Sequence, residues 1–171
     1  MLTTLLTILA GLVAAVALLG AAFVTGMRAK APIVRRLVAR ATGSSLNAKQ
    51  LQSAGSRGAS TSIIRHRGRR TGRTIETPVG VVPDGDDFLV ALPYGRATQW
   101  LRNVLAAGEA TLVTDGRTYR VDRPVLVATR SVADRFSRGD RISFRLMAVD
   151  DCLRLHRAAE DVAASEHPRA A

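Results

Sequence analysis

From Leu2 to Met27 the chain carries no charged side chain, and this run constrains everything that follows it. At roughly 1.5 Å per residue, a helix over that stretch exceeds the roughly 30 Å hydrocarbon thickness of a bilayer. Its Leu, Ala, Val and Gly content suits a spanning segment. A cleaved signal peptide is the alternative, and Gly20-Ala21-Ala22 resembles a cleavage site. A signal peptide, however, asks for a basic leader and a shorter apolar core, and nothing basic precedes this run except the amino terminus. A buried helix of a soluble fold is the third reading. The expectation is a transmembrane anchor over residues 1–27.

The flanks orient it. Arg28, Lys30, Arg35, Arg36 and Arg40 follow the helix, and no basic side chain precedes it. The positive-inside rule then places the remainder in the cytoplasm, as a single-pass protein of the cell membrane. The lone Cys152 agrees, because it asks for no internal disulfide and no oxidising compartment.

The net charge of +11 is unevenly spread. Arg28 to Ile75 holds 12 Lys and Arg and no acid, whereas all 14 Asp and Glu lie beyond Ile75. The basic excess therefore belongs to the membrane-proximal part and the first hairpin. An anionic lipid surface is one partner, at about 1 kcal/mol per basic residue near the membrane. Nucleic acid is disfavoured, since aromatics make up 4% of the chain and single strands need stacking platforms.

Pro32 to Ala41 reads as a short amphipathic helix, with Ile33, Leu37 and Val38 on one face. A Gly-, Ser-, Ala- and Asn-rich linker, Thr42 to Ser60, follows. The pattern then turns to strands: Ser62 to Arg67, a turn at Gly68–Gly72, and Thr74 to Val82 with its β-branched residues. Pro83-Asp84-Gly85-Asp86 is a turn signal, and Phe88 to Leu92 a buried strand. Thr98 is placed to cap a helix ending at Gly108. Ala110 to Thr114 and Arg117 to Val127 form a hairpin about Asp115-Gly116, with Pro124 marking an edge or a bulge. Ser131 to Ala164 reads as helical. Strands joined by tight turns make an antiparallel sheet, so the class is α+β, with about six strands closing into a small barrel. The boundaries are 28–60 for the basic helix and linker, 61–164 for the folded domain and 165–171 for a frayed tail.

Hydrolase motifs, metalloprotease motifs, a Walker loop and a dinucleotide-binding glycine fingerprint are all absent. One Cys and three scattered His, at 66, 156 and 167, do not make a zinc site, so no metal is expected. His66 reads as a structural or surface residue, and Asp84, Asp86 and Asp87 as turn chemistry. What stands out is Arg65-His66-Arg67-Gly68-Arg69-Arg70-Thr71-Gly72-Arg73, with five arginines and two glycines on one hairpin. Exposed amides and guanidinium forks suit phosphate or carboxylate oxygens; a solvated or lipid-facing turn is the plainer reading.

That stretch, followed by Glu76-Thr77-Pro78 and Asp84-Gly85-Asp86, resembles the deazaflavin-dependent nitroreductase and quinone reductase family. Val90-Ala91-Leu92-Pro93-Tyr94-Gly95 and Trp100-Leu101-Arg102-Asn103-Val104-Leu105-Ala106-Ala107-Gly108 are similar to a subgroup of it. The resemblance implies a split β-barrel that binds coenzyme F-420, an 8-hydroxy-5-deazaflavin with a phosphate and an oligoglutamate tail. By resemblance the phosphate falls to Arg69, Arg70 and Thr71. The deazaflavin falls to Ile75, Glu76, Thr77, Pro78, Val79 and Gly80, to Ala91, Leu92, Pro93 and Tyr94, and to Gln99, Trp100 and Asn103. Two positions depart from the pattern: Ile75 stands where a basic residue is common, and Pro93-Tyr94 replace a Ser-Lys pair. The coenzyme carries the redox chemistry, which accords with the missing acid–base machinery. Tyr94 is the candidate catalytic residue, as proton donor or orienter, with packing in a turn as its alternative role. Trp100 is expected to pack its helix onto the barrel. The expected activity is hydride transfer from the reduced coenzyme to a lipophilic acceptor such as a quinone. Flavin mononucleotide (FMN) on the same barrel, or a non-catalytic module binding the cofactor or anionic lipid, are the alternatives.

Overall fold

A computed structural model describes residues 2–29 and 53–158. Helix α1 spans Leu2–Arg28. Within it, Thr3–Gly26 has a mean hydropathy of 2.5 and none of its residues is buried, so by length and composition it can cross a membrane, a test that a signal sequence also passes. The amphipathic helix expected at 32–41 lies outside the described residues.

Seven strands follow: β1 Ser62–Arg67, β2 Thr74–Val79, β3 Val81–Asp84, β4 Asp87–Ala91, β5 Glu109–Thr114, β6 Arg117–Ala128 and β7 Asp151–Arg157. Helix α2, Gln99–Ala107, lies between β4 and β5, and α3, Arg138–Met147, between β6 and β7. All pairings are antiparallel, in the order β2-β1-β5-β6-β7-β4-β3. The outermost strands, β2 and β3, are separated in sequence by Gly80 alone. Laid flat, seven strands would hold those edges roughly 29 Å apart, yet the two bonds from Val79 to Val81 span at most about 7.6 Å. The sheet must therefore curl until its edges meet at Gly80, and the result is an antiparallel half-barrel.

Two expectations change, and one stated alternative is decided. The single strand foreseen from Thr74 to Val82 breaks at Gly80 into two edge strands, and β3 carries Pro83 and Asp84 before turning at Gly85-Asp86. An edge tolerates Pro83 because its missing N–H faces no partner. The break at Gly80 turns the five strands named from the sequence into six, and the C-terminal stretch, which is not all helix, adds the seventh: Asp151–Arg157 is a strand between β6 and β4. Its Leu153 and Leu155 are fully buried in the barrel interior, while Cys152 is buried on the other face. Pro124 marks a bulge rather than an edge, since β6 is internal and its register against β7 shifts between Asp122 and Val125, with Arg123 at φ 48°. The Asp115-Gly116 turn has both residues at positive φ, as a type I′ hairpin requires.

The interior is filled by Ile64, Phe88, Val90, Leu112, Val121, Leu153 and Leu155, and α2 closes it with Leu101 and Val104. Each fully buried aliphatic side chain contributes about 1.5–3 kcal/mol. Helix α2 stops at Gly108, whose φ of 73° lets its amide return to the Val104 carbonyl. Thr98 occupies the N-cap position without a capping hydrogen bond, and its hydroxyl is buried unpaired. On the outer face Leu89, Val132, Phe136 and Cys152 form a second cluster, with Phe144 of α3 edge-on to Phe136 at 4.9 Å.

Candidate functional site

The arginine-bearing turn joins β1 to β2. Its backbone closes through the Gly68 amide to the Arg73 carbonyl and the Gly72 amide to the Gly68 carbonyl, both at 2.8 Å. Glycine is required twice. Gly72 sits at φ 65°, and a Cβ at Gly68 would lie 2.8 Å from the Thr71 hydroxyl.

Helix α2 grips this turn from the side. Asn103 Oδ1 accepts from Arg69 Nε at 2.9 Å and from the Arg69 amide at 3.4 Å. Gln99 Oε1 accepts from Arg69 Nη2 at 3.1 Å. With Oδ1 turned to the guanidinium, Asn103 Nδ2 faces His66 Nδ1 at 3.2 Å. The amide donates there, so Nδ1 is the ring acceptor and the proton sits on Nε2, which meets Thr77 Oγ1 at 3.2 Å. His66 and Asn103 are 4% and 5% exposed. Burial pushes the His66 pKa below its ordinary value, so the ring is held neutral, as this chain of donors and acceptors needs. The chain runs Gln99–Arg69–Asn103–His66–Thr77 and ties helix, turn and both strands together.

The five arginines are not equivalent. Arg65 pairs across the strands with Glu76 at 2.6 Å, and Arg69 is held by α2. The side chains of Arg67, Arg70 and Arg73 are exposed and have no hydrogen bond or ion pair among the described residues. The amides of Arg70 and Thr71 are likewise uncommitted there. Two amides, a hydroxyl and guanidinium groups at one turn are phosphate-binding chemistry.

Strand alternation divides the other candidates between two faces. Ile75, Thr77 and Val79 stand opposite His66, Ile64 and Ser62 on the inner face, whereas Glu76 and Pro78 stand opposite Arg65 and Ile63 on the outer. Gly80 is the joint between β2 and β3. Leu92 belongs to the interior cluster, and Ala91 packs against the outer one. Trp100 is partly buried against the interior cluster. Leu92-Pro93-Tyr94-Gly95 is a turn closed by the Gly95 amide on the Leu92 carbonyl at 2.9 Å. Tyr94 is 38% exposed and makes no hydrogen bond or ring contact among the described residues. Arg96, just behind it, forms a bidentate pair with Asp151 at 2.7 Å in both contacts, which pins the loop to β7. The structure thus brings Arg69, Gln99, Asn103 and Thr77 into one network and leaves Tyr94 outside it.

Sequence reasoning did not foresee His66 as the hub or Arg96 as the loop anchor. Their partners lie 37 and 55 residues away, and no local pattern announces such pairs. At the opposite corner, Asp84 and Asp87 pair with Arg135, Arg154 and His156 at 2.9–3.6 Å, while Asp86 forms the turn. Among the described residues no cluster suited to a metal occurs. Burial raises the Cys152 pKa and keeps the thiol protonated and inert, against the smaller opposing effect of Thr129 Oγ1 3.5 Å from its sulfur.

Residues 27–123 match a family model described as F420H(2)-dependent quinone reductase. Among solved structures, an F420 reductase aligns over 58% of this chain and 86% of its own, at 14% identity and a TM-score of 0.42. An F420-H2 dependent reductase aligns over 59% and 96%, at 11% identity and a TM-score of 0.36. HutZ, the heme storage protein of Vibrio cholerae, aligns over 67% and 90%, at 12% identity and a TM-score of 0.43. No curated protein matches the sequence.

Proposed function

The chain belongs to the F420H(2)-dependent quinone reductase family and is an oxidoreductase; on that basis we propose that it passes a hydride from reduced coenzyme F-420 to a quinone-like acceptor dissolved in the bilayer that α1 crosses. One observation carries the reading: a turn whose Arg67, Arg70 and Arg73 pair with no acid among the described residues, locked in shape from behind by Asn103 and Gln99. The coenzyme's phosphate and oligoglutamate tail are polyanionic, and this donor set suits them. Arg70, the amides of Arg70 and Thr71 and the Thr71 hydroxyl would hold the phosphate, with Arg69 shaping the turn. Ile75 and Thr77, on the inner face, would meet the ring system, with Val79 behind them in the core.

The bound coenzyme supplies a hydride. A quinone that accepts it also needs one proton to become the hydroquinone, and Tyr94 is the residue assigned to donate or orient it. The closed Leu92–Gly95 turn and the Arg96–Asp151 pair hold that phenol at the surface, where an acceptor has access. An acceptor that lives in lipid accounts for an anchored enzyme. The basic flank of α1 favours the cytoplasmic side for the domain, a topology that a reporter fused at Ala171 reads directly.

The test is a spectroscopic titration of the purified full chain with coenzyme F-420 and with FMN, followed by oxidation of the reduced coenzyme by lipophilic and water-soluble acceptors. Binding of the deazaflavin with faster turnover on a lipophilic quinone is expected. Stoichiometric binding of FMN alone would replace the cofactor, and tight coenzyme binding without turnover on any acceptor would leave a binding module. Tyr94→Phe is expected to lower kcat by roughly 10²-fold, within the range for a lost general acid, with little change in coenzyme affinity. Unchanged turnover would return Tyr94 to packing.

A further inference from the structure

A second arginine-lined site lies at the foot of α1, away from the β1–β2 turn. A groove of about 630 Å³ opens between the end of α1, the start of the first 3-10 turn after β6, and α3. Arg28, Arg130, Arg141 and Arg145 line it against a single carboxylate, Asp150, with Phe144 on its apolar wall. All four arginines are exposed. Arg28 holds the groove together. Its Nη1 donates to the carbonyls of Arg145 at 2.8 Å and Leu146 at 3.4 Å, the last turn of α3, where a cation is favoured by the helix dipole. The side chains of Arg130, Arg141 and Arg145 have no hydrogen bond or ion pair among the described residues.

On α3 itself, Ile142 and Leu146 stand one turn apart and are 51% and 52% exposed. An amphipathic helix with arginines beside uncovered aliphatic residues is the pattern of an element that lies in a membrane interface.

We propose that this groove seats the phosphate headgroup of an anionic membrane lipid, with Ile142 and Leu146 of α3 reaching the acyl boundary. The proposal rests on α1 crossing the bilayer. Arg28 is the last residue of that helix, so the groove it lines falls at headgroup depth, and four guanidinium groups against one carboxylate complement a phosphodiester. Free phosphate offers the same oxygens, but the position beside α1 and the bare aliphatic pair commit the site to lipid. Docking here would hold the half-barrel against the bilayer.

The test uses the full chain in neutral detergent micelles, titrated calorimetrically with dihexanoyl phosphatidylglycerol, dihexanoyl phosphatidylcholine and inorganic phosphate. Phosphatidylglycerol should bind at least about tenfold more tightly than either of the others, and Arg130→Glu with Arg141→Glu should abolish that preference while leaving the lipid-free Tm unchanged. Arg141→Gln, which keeps the stem and removes the charge, should weaken phosphatidylglycerol binding by about threefold or more and provides the reading if the double variant fails to fold. Equal binding of the two lipids, phosphate binding as tight as phosphatidylglycerol, or unchanged affinity in the variants overturns the proposal. Alkaline carbonate treatment of membranes separately reads the anchor. A chain that washes off overturns the spanning helix, while the micelle titration still judges the groove.

Discussion

Two corners of the half-barrel are rich in arginine, and they use it in opposite ways. Where β3, β4 and β7 meet, Arg135 and Arg154 face Asp84 and Asp87, and His156 donates to or pairs with Asp87 at 2.9 Å. The charge there is matched within the fold. At the β1–β2 turn, Arg65 alone has a carboxylate partner among the described residues, and Arg69 is held by neutral amides instead. Amides fix a guanidinium in place without neutralising it, so the turn is rigid and still positive. Matched arginines stabilise the sheet; unmatched ones held in a defined geometry cost stability through mutual repulsion, which the proposed anionic ligand would relieve.

The sharpest way to break this contrast is at Asn103, because one buried amide serves both the turn and His66. Asn103→Leu keeps the branched shape but removes the acceptor of Arg69 Nε and leaves the buried His66 Nδ1 without its donor. Loss of about 1–3 kcal/mol of stability is expected from the unsatisfied buried ring nitrogen. Coenzyme affinity should fall as well, because the turn is no longer held. Chemical denaturation together with the coenzyme titration checks both, and retained affinity in a destabilised protein would mean that the turn needs no support from α2.

Charge reversal on each corner separates the two roles. Arg70→Glu should weaken coenzyme binding at least about tenfold, since a charge-assisted contact of about 1.5–3 kcal/mol becomes repulsion. Its Tm should not fall, since the side chain is exposed and its repulsion with the neighbouring arginines is relieved. Asp84→Asn should do the reverse, removing up to about 1 kcal/mol of stability from partly exposed pairs and leaving coenzyme affinity intact. If both substitutions moved the same observable, the division between matched and unmatched arginine would collapse.

Much of the fold was legible before any coordinates, and the reasons are local. Asp115-Gly116, Gly72 and Gly108 each sit at a positive φ that the sequence advertises, so the hairpin, the basic turn and the end of α2 fall where expected. Strand β7 was missed because Asp151-Cys152-Leu153-Arg154-Leu155-His156-Arg157 mixes charge into a central strand. Its outward Arg154 and His156 are tolerated by Asp84 and Asp87 on other strands, and its inward Arg157 stacks 4.4 Å from the Tyr119 ring centroid. None of those partners is local, so the segment reads as an amphipathic helix until the sheet is assembled. The same limit applies to the site. The arginines and glycines of the turn are contiguous and conspicuous, while the support that shapes it comes from Asn103 and His66, 37 residues apart and individually unremarkable in sequence.

The smallest expected effect tests that hidden support through pH. The folded state holds His66 below its ordinary value of about 6.5, chiefly because burial disfavours the charged ring. Below that value the unfolded chain binds a proton that the folded chain resists. The stability His66 allows is therefore complete above about pH 6.5 and is lost as pH falls below it toward the lower folded value, at no more than about 1.4 kcal/mol per pH unit. Protonation would also turn Nδ1 into a donor facing the Asn103 amide, breaking the chain that holds Arg69. Coenzyme affinity should accordingly weaken over the same pH range. His66→Gln offers an acceptor to Asn103 and a donor to Thr77 without titrating, so its Tm and affinity should vary less between pH 6.5 and 5 than those of the unaltered protein. The two proteins differ at this one position, so the difference between the two profiles isolates His66. Parallel profiles would show that the turn keeps its shape whatever the charge on the ring, and that the positive corner is held by Gln99 and the glycines instead.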